Sequence, residues 1–174
     1  MNTPNKLTLL RVILVPVVCV LIGVGLYPWA AAVFALGALT DFLDGYLARR
    51  DGLITVFGKF LDPVADKLLV LTAMIMLTEK GLLPAWAVVI VAARELAVDG
   101  LRLVASGSGK VVAAKMPGKI KTTLQLLCVL SALLLKNHPV TLALAIAMAA
   151  MTVYSGALYF KELWKFVWEP KDEA

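Results

Sequence analysis

An all-α membrane protein of six transmembrane helices, with both termini in the cytoplasm, is what three features of the sequence predict. The chain has 174 residues, 61% of them apolar, and a mean hydropathy of +0.88, which leaves too little polar surface to coat a soluble globule of this size. Its apolar residues fall into runs close to the roughly 20 residues that cross a bilayer. Its 17 lysines and arginines gather in alternate connections, the asymmetry that marks the cytoplasmic side.

The first apolar run is too long for one helix. Between Arg11 and Asp41 lie 29 uncharged residues, about 44 Å of helix at 1.5 Å per residue against a hydrocarbon core of roughly 30 Å. Gly23, Gly25 and Pro28 mark a turn and divide the run into spans over about 7–26 and 29–50. The third span, about 62–78, has Pro63 near its start, where a missing N–H costs little. The fourth, about 84–105, carries Arg94, Glu95, Asp99 and Arg102. The fifth, about 118–135, begins among Lys115, Lys119 and Lys121, and the sixth covers about 139–160. Met74, Met76, Met148 and Met151 read as packing residues. The six spans form one domain over 1–174.

An even number of spans puts both termini on one side. With the termini and the 50–61 and 105–117 loops in the cytoplasm, only Lys80 and Lys136 fall outside and the other 15 basic residues lie in or near the inner face. Tyr27, Trp29 and Trp86 then lie near the outer turns and Trp164 and Trp168 at the inner end, where amphipathic rings prefer to sit. A cleaved signal peptide, with Lys6 and Arg11 as its basic start and Ala30-Ala31-Ala32 as its cleavage site, is the competing reading of the N-terminus. Pro16 within the core and apolarity continuing through Leu39 argue against it. Positive-inside topology and an anionic leaflet account for the net charge of +5 without a nucleic-acid partner. Cys19 and Cys128 each lie inside an apolar run and read as small hydrophobes, not as a disulfide framework or metal site. His138 reads as a polar residue of an outer turn.

Four acids carry the chemical information. Asp41 and Asp44 are three apart on the second span, and Asp62 and Asp66 four apart on the third, so each pair projects from one helical face and a short loop can bring the pairs together. A carboxylate inside a membrane helix costs roughly 2.5–3.5 kcal/mol at mid-span, so such a cluster must be paired, hydrated or functional. Four together repel one another and take up protons unless a cation neutralises them. Hard oxygen ligands favour Mg²⁺, Mn²⁺ or Ca²⁺ over zinc, with room for one or two ions. Gly45 and Ala48 on the same stripe let a ligand approach the backbone, and Arg49 can hold phosphate oxygens in bidentate fashion. Asn5, Thr8 and Arg11, at the opening of the first span, suit nucleotide or phosphate contact, with Asn5 also placed to cap the helix. A metal-carboxylate cage with small residues and an arginine at the inner membrane face is equipment for phosphoryl transfer on a lipid. Acids snorkelling to the interface as solvated helix ends, or an ion-coupled transporter, are the other readings. The absence of an inverted repeat and the crowding of all four acids toward one face weigh against transport.

Written out, Asp41 to Asp66 reads D-x2-D-G-x2-A-R-x8-G-x3-D-x3-D, which resembles at every fixed position the signature of the CDP-alcohol phosphatidyltransferases. Pro4-Asn5, Thr8 and Arg11, the run from Gly58 to Lys67, Arg94-Glu95 with Arg102, and Gly118 to Thr122 resemble the branch whose acceptor is glycerol 3-phosphate. The resemblance implies a six-helix enzyme of the cell membrane, usually a homodimer, with its site open to the cytoplasm and one or two Mg²⁺ or Mn²⁺ ions. It implies that Asp41, Asp44 and Asp62 bind metal, that Asp66 is a ligand, a general base that helps deprotonate the acceptor hydroxyl, or both, and that Gly45, Ala48, Arg49 and Gly58 line the CDP end of CDP-diacylglycerol. The acceptor oxygen would attack the lipid-side phosphorus and release CMP. A phosphorylated acceptor needs a cationic pocket, for which Arg94, Arg102 and Lys119 are the candidates. Lys119 and Lys121 are about 200° apart on a helical wheel, so only one is expected to face the pocket. Inositol phosphate, serine and phosphatidylglycerol are the alternative acceptors.

Overall fold

The structure is a computed structural model that describes residues 3–51, 56–107, 116–136 and 139–168, with side chains described over 9–40, 64–65, 67–106, 116–136 and 139–164. Every regular element among them is helical: α1 (Thr3–Gly23), α2 (Tyr27–Asp51), α3 (Val56–Glu79), α4 (Ala85–Gly107), α5 (Met116–Leu135) and α6 (Pro139–Trp168). Each expected span has its helix, but three ends differ by four residues or more. α1 begins at Thr3, so Asn5 lies within the helix and is not its cap. α3 begins at Val56, so Pro63 is interior, as is Pro16 in α1. Neighbouring helices can satisfy the backbone groups that such prolines free. α6 continues to Trp168; Lys161 and Glu162 end the apolar run without ending the helix, since both residue types sustain helical backbone.

The turn expected near Gly25 is present and its hydrogen bonds show why glycine is there. Gly25 N–H donates to Ile22 O at 3.1 Å and Leu26 N–H to Leu21 O at 2.8 Å, closing α1 in a Schellman motif that requires a left-handed residue, and Gly25 has φ 80°. Gly81, φ 69°, ends α3 in the same way, donating to Thr78 O at 3.0 Å while Leu82 N–H reaches Leu77 O at 2.8 Å.

α3 packs against α1, α2, α4 and α5, while α6 lies against α4 and α5. The main apolar core draws Val18 and Ile22 from α1, Phe34 from α2, Leu69, Met74 and Leu77 from α3, and Met148 from α6, all buried. Met74 and Met148 thus pack as expected, and Cys128 is a free, buried thiol in the same core. α2 approaches closely at Gly37, where a Cβ would lie 2.6 Å from Leu69 Cδ2 and 3.5 Å from Leu14 Cδ1. Leu69 is itself 2% exposed and has little room to yield. Gly37→Val is therefore expected to destabilise the protein by about 1–3 kcal/mol, measured as a lower thermal midpoint in detergent; an unchanged midpoint would show that α2 can stand off from α3.

Two helices among the described residues, α5 and the Pro139–Trp164 part of α6, are long and apolar enough to cross a membrane; Leu9–Gly23 and Tyr27–Thr40 are shorter apolar stretches. Only 39% and 33% of an 18-residue apolar stretch in each is buried within the protein, so most of each stretch offers apolar surface outward, as a lipid-facing helix does. Leu96, Leu103 and Val89, at 73%, 70% and 65% exposure, extend that outward apolar surface to α4. An outward apolar surface of this kind suits a membrane protein.

Candidate active site

The backbone carries Asp41 and Asp44 in the C-terminal half of α2 and Asp62 and Asp66 in the N-terminal half of α3, two helices that pack together. The connection 52–55 and the side chains of Asn5, Thr8, Asp41, Asp44, Gly45, Ala48, Arg49, Gly58, Asp62 and Asp66 lie outside the described residues, as do Lys115 and His138. Four carboxylates on two neighbouring helices are a residue set whose chemistry suits a hard divalent cation. Arg11, on α1, is fully buried and partnered.

Directly after Asp66, α3 turns Lys67 into a cavity of about 260 Å³. α4 contributes Arg94, Glu95, Asp99 and Arg102 to its lining, α5 contributes Gly118, Lys119, Lys121, Thr122 and Gln125, and α6 contributes Tyr159. Among the described residues five cations face two carboxylates, an excess of three positive charges. Arg94, Arg102 and Lys119 are thus brought together as the sequence suggests. The helical-wheel expectation that only one of Lys119 and Lys121 could face the pocket is corrected: both line it. A wheel tracks Cβ directions, whereas a four-carbon stem carries the ammonium around the helix.

Glu95 is the hub of the charges. It is 5% exposed, accepts a hydrogen bond from the buried Lys121 ammonium, and lies 3.7 Å from Lys67 Nζ and 3.6 Å from Arg94. Lys67 also bonds Asp99. Asp99 and Arg102, three apart on α4 and so able to pair with each other, bond to other helices instead: Asp99 takes Lys67, and Arg102 donates to Tyr159 Oη at 3.0 Å. Lys67 and Lys121 are held by carboxylates, whereas Arg102, and Arg94 in addition to its contact with Glu95, lie by the Tyr159 ring, Arg94 at 5.3 Å and Arg102 at 4.9 Å from its centroid. Both arginines keep a buried Nε–H with no acceptor among the described residues. A buried donor left unmade costs about 1–3 kcal/mol, and an anion with several oxygens supplies the missing acceptors. Sequence reasoning missed Tyr159 and Gln125. A tyrosine hydroxyl in an apolar span needs a polar partner, and that was the available signal.

Comparison with known proteins places this geometry in context. A family model described as CDP-alcohol phosphatidyltransferase matches residues 1–155. A Bacillus subtilis (strain 168) protein named CDP-diacylglycerol–glycerol-3-phosphate 3-phosphatidyltransferase is 46% identical, over 94% of this chain and 96% of its own length. A protein of the same name from Shigella flexneri serotype 5b is 41% identical over 91% of this chain and 92% of its own. A Mycobacterium tuberculosis (strain H37Rv) protein named "Probable phosphatidylglycerophosphate synthase" is 39% identical over 91% of this chain and 79% of its own.

Proposed function

The chain belongs to the CDP-alcohol phosphatidyltransferase family, and from that premise we propose that it transfers the phosphatidyl group of CDP-diacylglycerol to glycerol 3-phosphate, giving phosphatidylglycerophosphate and CMP in phospholipid synthesis. The observation that carries the choice of acceptor is the cavity beginning at Lys67, one residue beyond Asp66, with its excess of positive charge. A pocket of that charge favours an acceptor bearing a phosphate over serine.

In this reading Asp41, Asp44, Asp62 and Asp66 hold one or two Mg²⁺ or Mn²⁺ ions, which when bound neutralise the pyrophosphate and stabilise departing CMP. Asn5, Thr8, Arg11, Gly45, Ala48, Arg49 and Gly58 bind the CDP end of the donor. Arg94, Arg102 and Lys119 hold the acceptor phosphate, which fixes the acceptor hydroxyl for in-line attack. The hydroxyl oxygen forms the new bond to the lipid-side phosphorus, the bond to the CMP oxygen breaks, and Asp66 takes the proton. All six helices span the cell membrane as one domain with both termini inside, which opens the aspartates and the cavity to cytoplasmic glycerol 3-phosphate; the working unit is a homodimer.

Purified protein supplied with CDP-diacylglycerol and Mg²⁺ is expected to release CMP with glycerol 3-phosphate, and not with inositol phosphate, serine or phosphatidylglycerol. The lipid product should be phosphatidylglycerophosphate. Turnover with another of these acceptors would retain the reaction and overturn the acceptor assignment.

A further inference from the structure

Tyr159 and Gly156 lie beyond the residues matched by the family model, so membership says nothing about what they do. Tyr159 is 1% exposed and is backed by a small apolar cluster of its own, with Val98, Ala105 and Leu163 buried around it and Leu101 packed against them. That cluster fixes the ring. The ring in turn lies 5.3 Å from the Arg94 guanidinium and 4.9 Å from that of Arg102, within the range of cation–π attraction. Its hydroxyl accepts the Arg102 hydrogen bond at 3.0 Å. One turn earlier on α6, Gly156 lets the Arg94 stem pass: a Cβ there would stand 3.2 Å from Arg94 Cγ.

We infer that Gly156 and Tyr159 form a positioning seat on α6 that sets Arg94 and Arg102 for the acceptor phosphate through an aromatic face that itself takes up none of their charge. The inference rests on the acceptor reading proposed above. Its physical content is the contrast within one cavity. Glu95 and Asp99 hold Lys121 and Lys67 by opposing their charge; Glu95 also lies 3.6 Å from Arg94, so the contrast is fullest at Arg102. An aromatic face instead restrains a guanidinium while leaving its charge for a ligand. Long cationic side chains otherwise lose rotamer freedom when a phosphate orders them, and a seat that orders them beforehand removes that loss from binding.

The test is a kinetic panel on the full-length enzyme in detergent, with KM measured separately for glycerol 3-phosphate and CDP-diacylglycerol. Tyr159→Leu is expected to raise the acceptor KM about tenfold with the donor KM unchanged. Tyr159→Phe keeps the ring and loses only the hydroxyl contact, so a rise of about threefold is expected. Gly156→Ala, which crowds the Arg94 stem, should move the acceptor KM in the same direction, and it carries the test if Tyr159→Leu does not fold. Equal changes in both KM values, or a fall in thermal midpoint with neither KM altered, would assign these residues to packing alone and overturn the seat. Arg94→Ala in the same panel separates the two claims. If it raises the acceptor KM while the α6 variants do not, the seat is wrong and the acceptor reading stands; if it leaves the acceptor KM unchanged, the acceptor reading fails and the seat with it.

Discussion

Asp41→Asn and Asp62→Asn are each expected to lower CMP release by about a thousandfold or more while leaving the protein folded and monodisperse in detergent. Asparagine preserves the side chain's volume and removes its charge, so the substitution tests ligation and not packing. One acid comes from α2 and the other from α3, and loss in both variants is what a site shared by the two helices requires. An acid that only snorkels to the interface would lose nothing as its amide, because solvent already carries its charge. Wild-type turnover in either variant, measured at saturating Mg²⁺, would remove that aspartate from the proposed metal site. The companion measurement is a thermal midpoint with and without Mg²⁺: a ligand that binds only the folded state raises it, and each asparagine variant should reduce the rise.

Glu95→Ala is expected to produce the largest loss of stability of any single substitution in the cavity. The carboxylate touches Lys67, Arg94 and Lys121, and Lys121 is 4% exposed, so its removal leaves a buried ammonium and two more cations facing each other. Breaking a buried ion pair from one side costs about 3–5 kcal/mol. Inorganic phosphate should return part of that loss by taking the carboxylate's place among the cations, so its stabilising shift in thermal midpoint is expected to exceed that of the wild type. A variant that melts with the wild type would show that water already solvates these charges. One that melts lower without responding to phosphate would mean the cations have dispersed.

Which of these features could be read in the sequence follows the range of the forces involved. The turn at Gly25 is local, since a left-handed residue closing an apolar run points to glycine from a few positions alone. The aspartate spacing is local too, because three- and four-residue intervals define a helical face without knowledge of the partner helix. Helix ends are less legible: hydropathy marks where apolar residues stop, whereas α3 starts before Pro63 and α6 continues past its apolar run. The pairings in the cavity were the least legible. Asp99 and Arg102 satisfy the i, i+3 rule, yet Lys67 and Tyr159, 32 and 57 positions away respectively, take them instead. Nothing within α4 ranks those distant competitors. Lys121 escaped for a related reason, since its reach toward Glu95 depends on the stem and on where α4 stands.

None of the residues assigned to the reaction lies on a connection: all sit on helices. Enzymes commonly carry their working groups on surface loops, whose mobility lets a lid close over the substrate. Here α3, which carries Asp62, Asp66 and Lys67, touches α1, α2, α4 and α5, so parting it from its surroundings means opening most of the bundle at once. Local opening free energies range from near zero at frayed ends to the global value in the core, and the central part of α3 belongs at the upper end of that range. Lys67, at the middle of α3, is thereby placed in the stiff part of the architecture, and a ligand that enters its cavity must adapt its own conformation to a rigid frame.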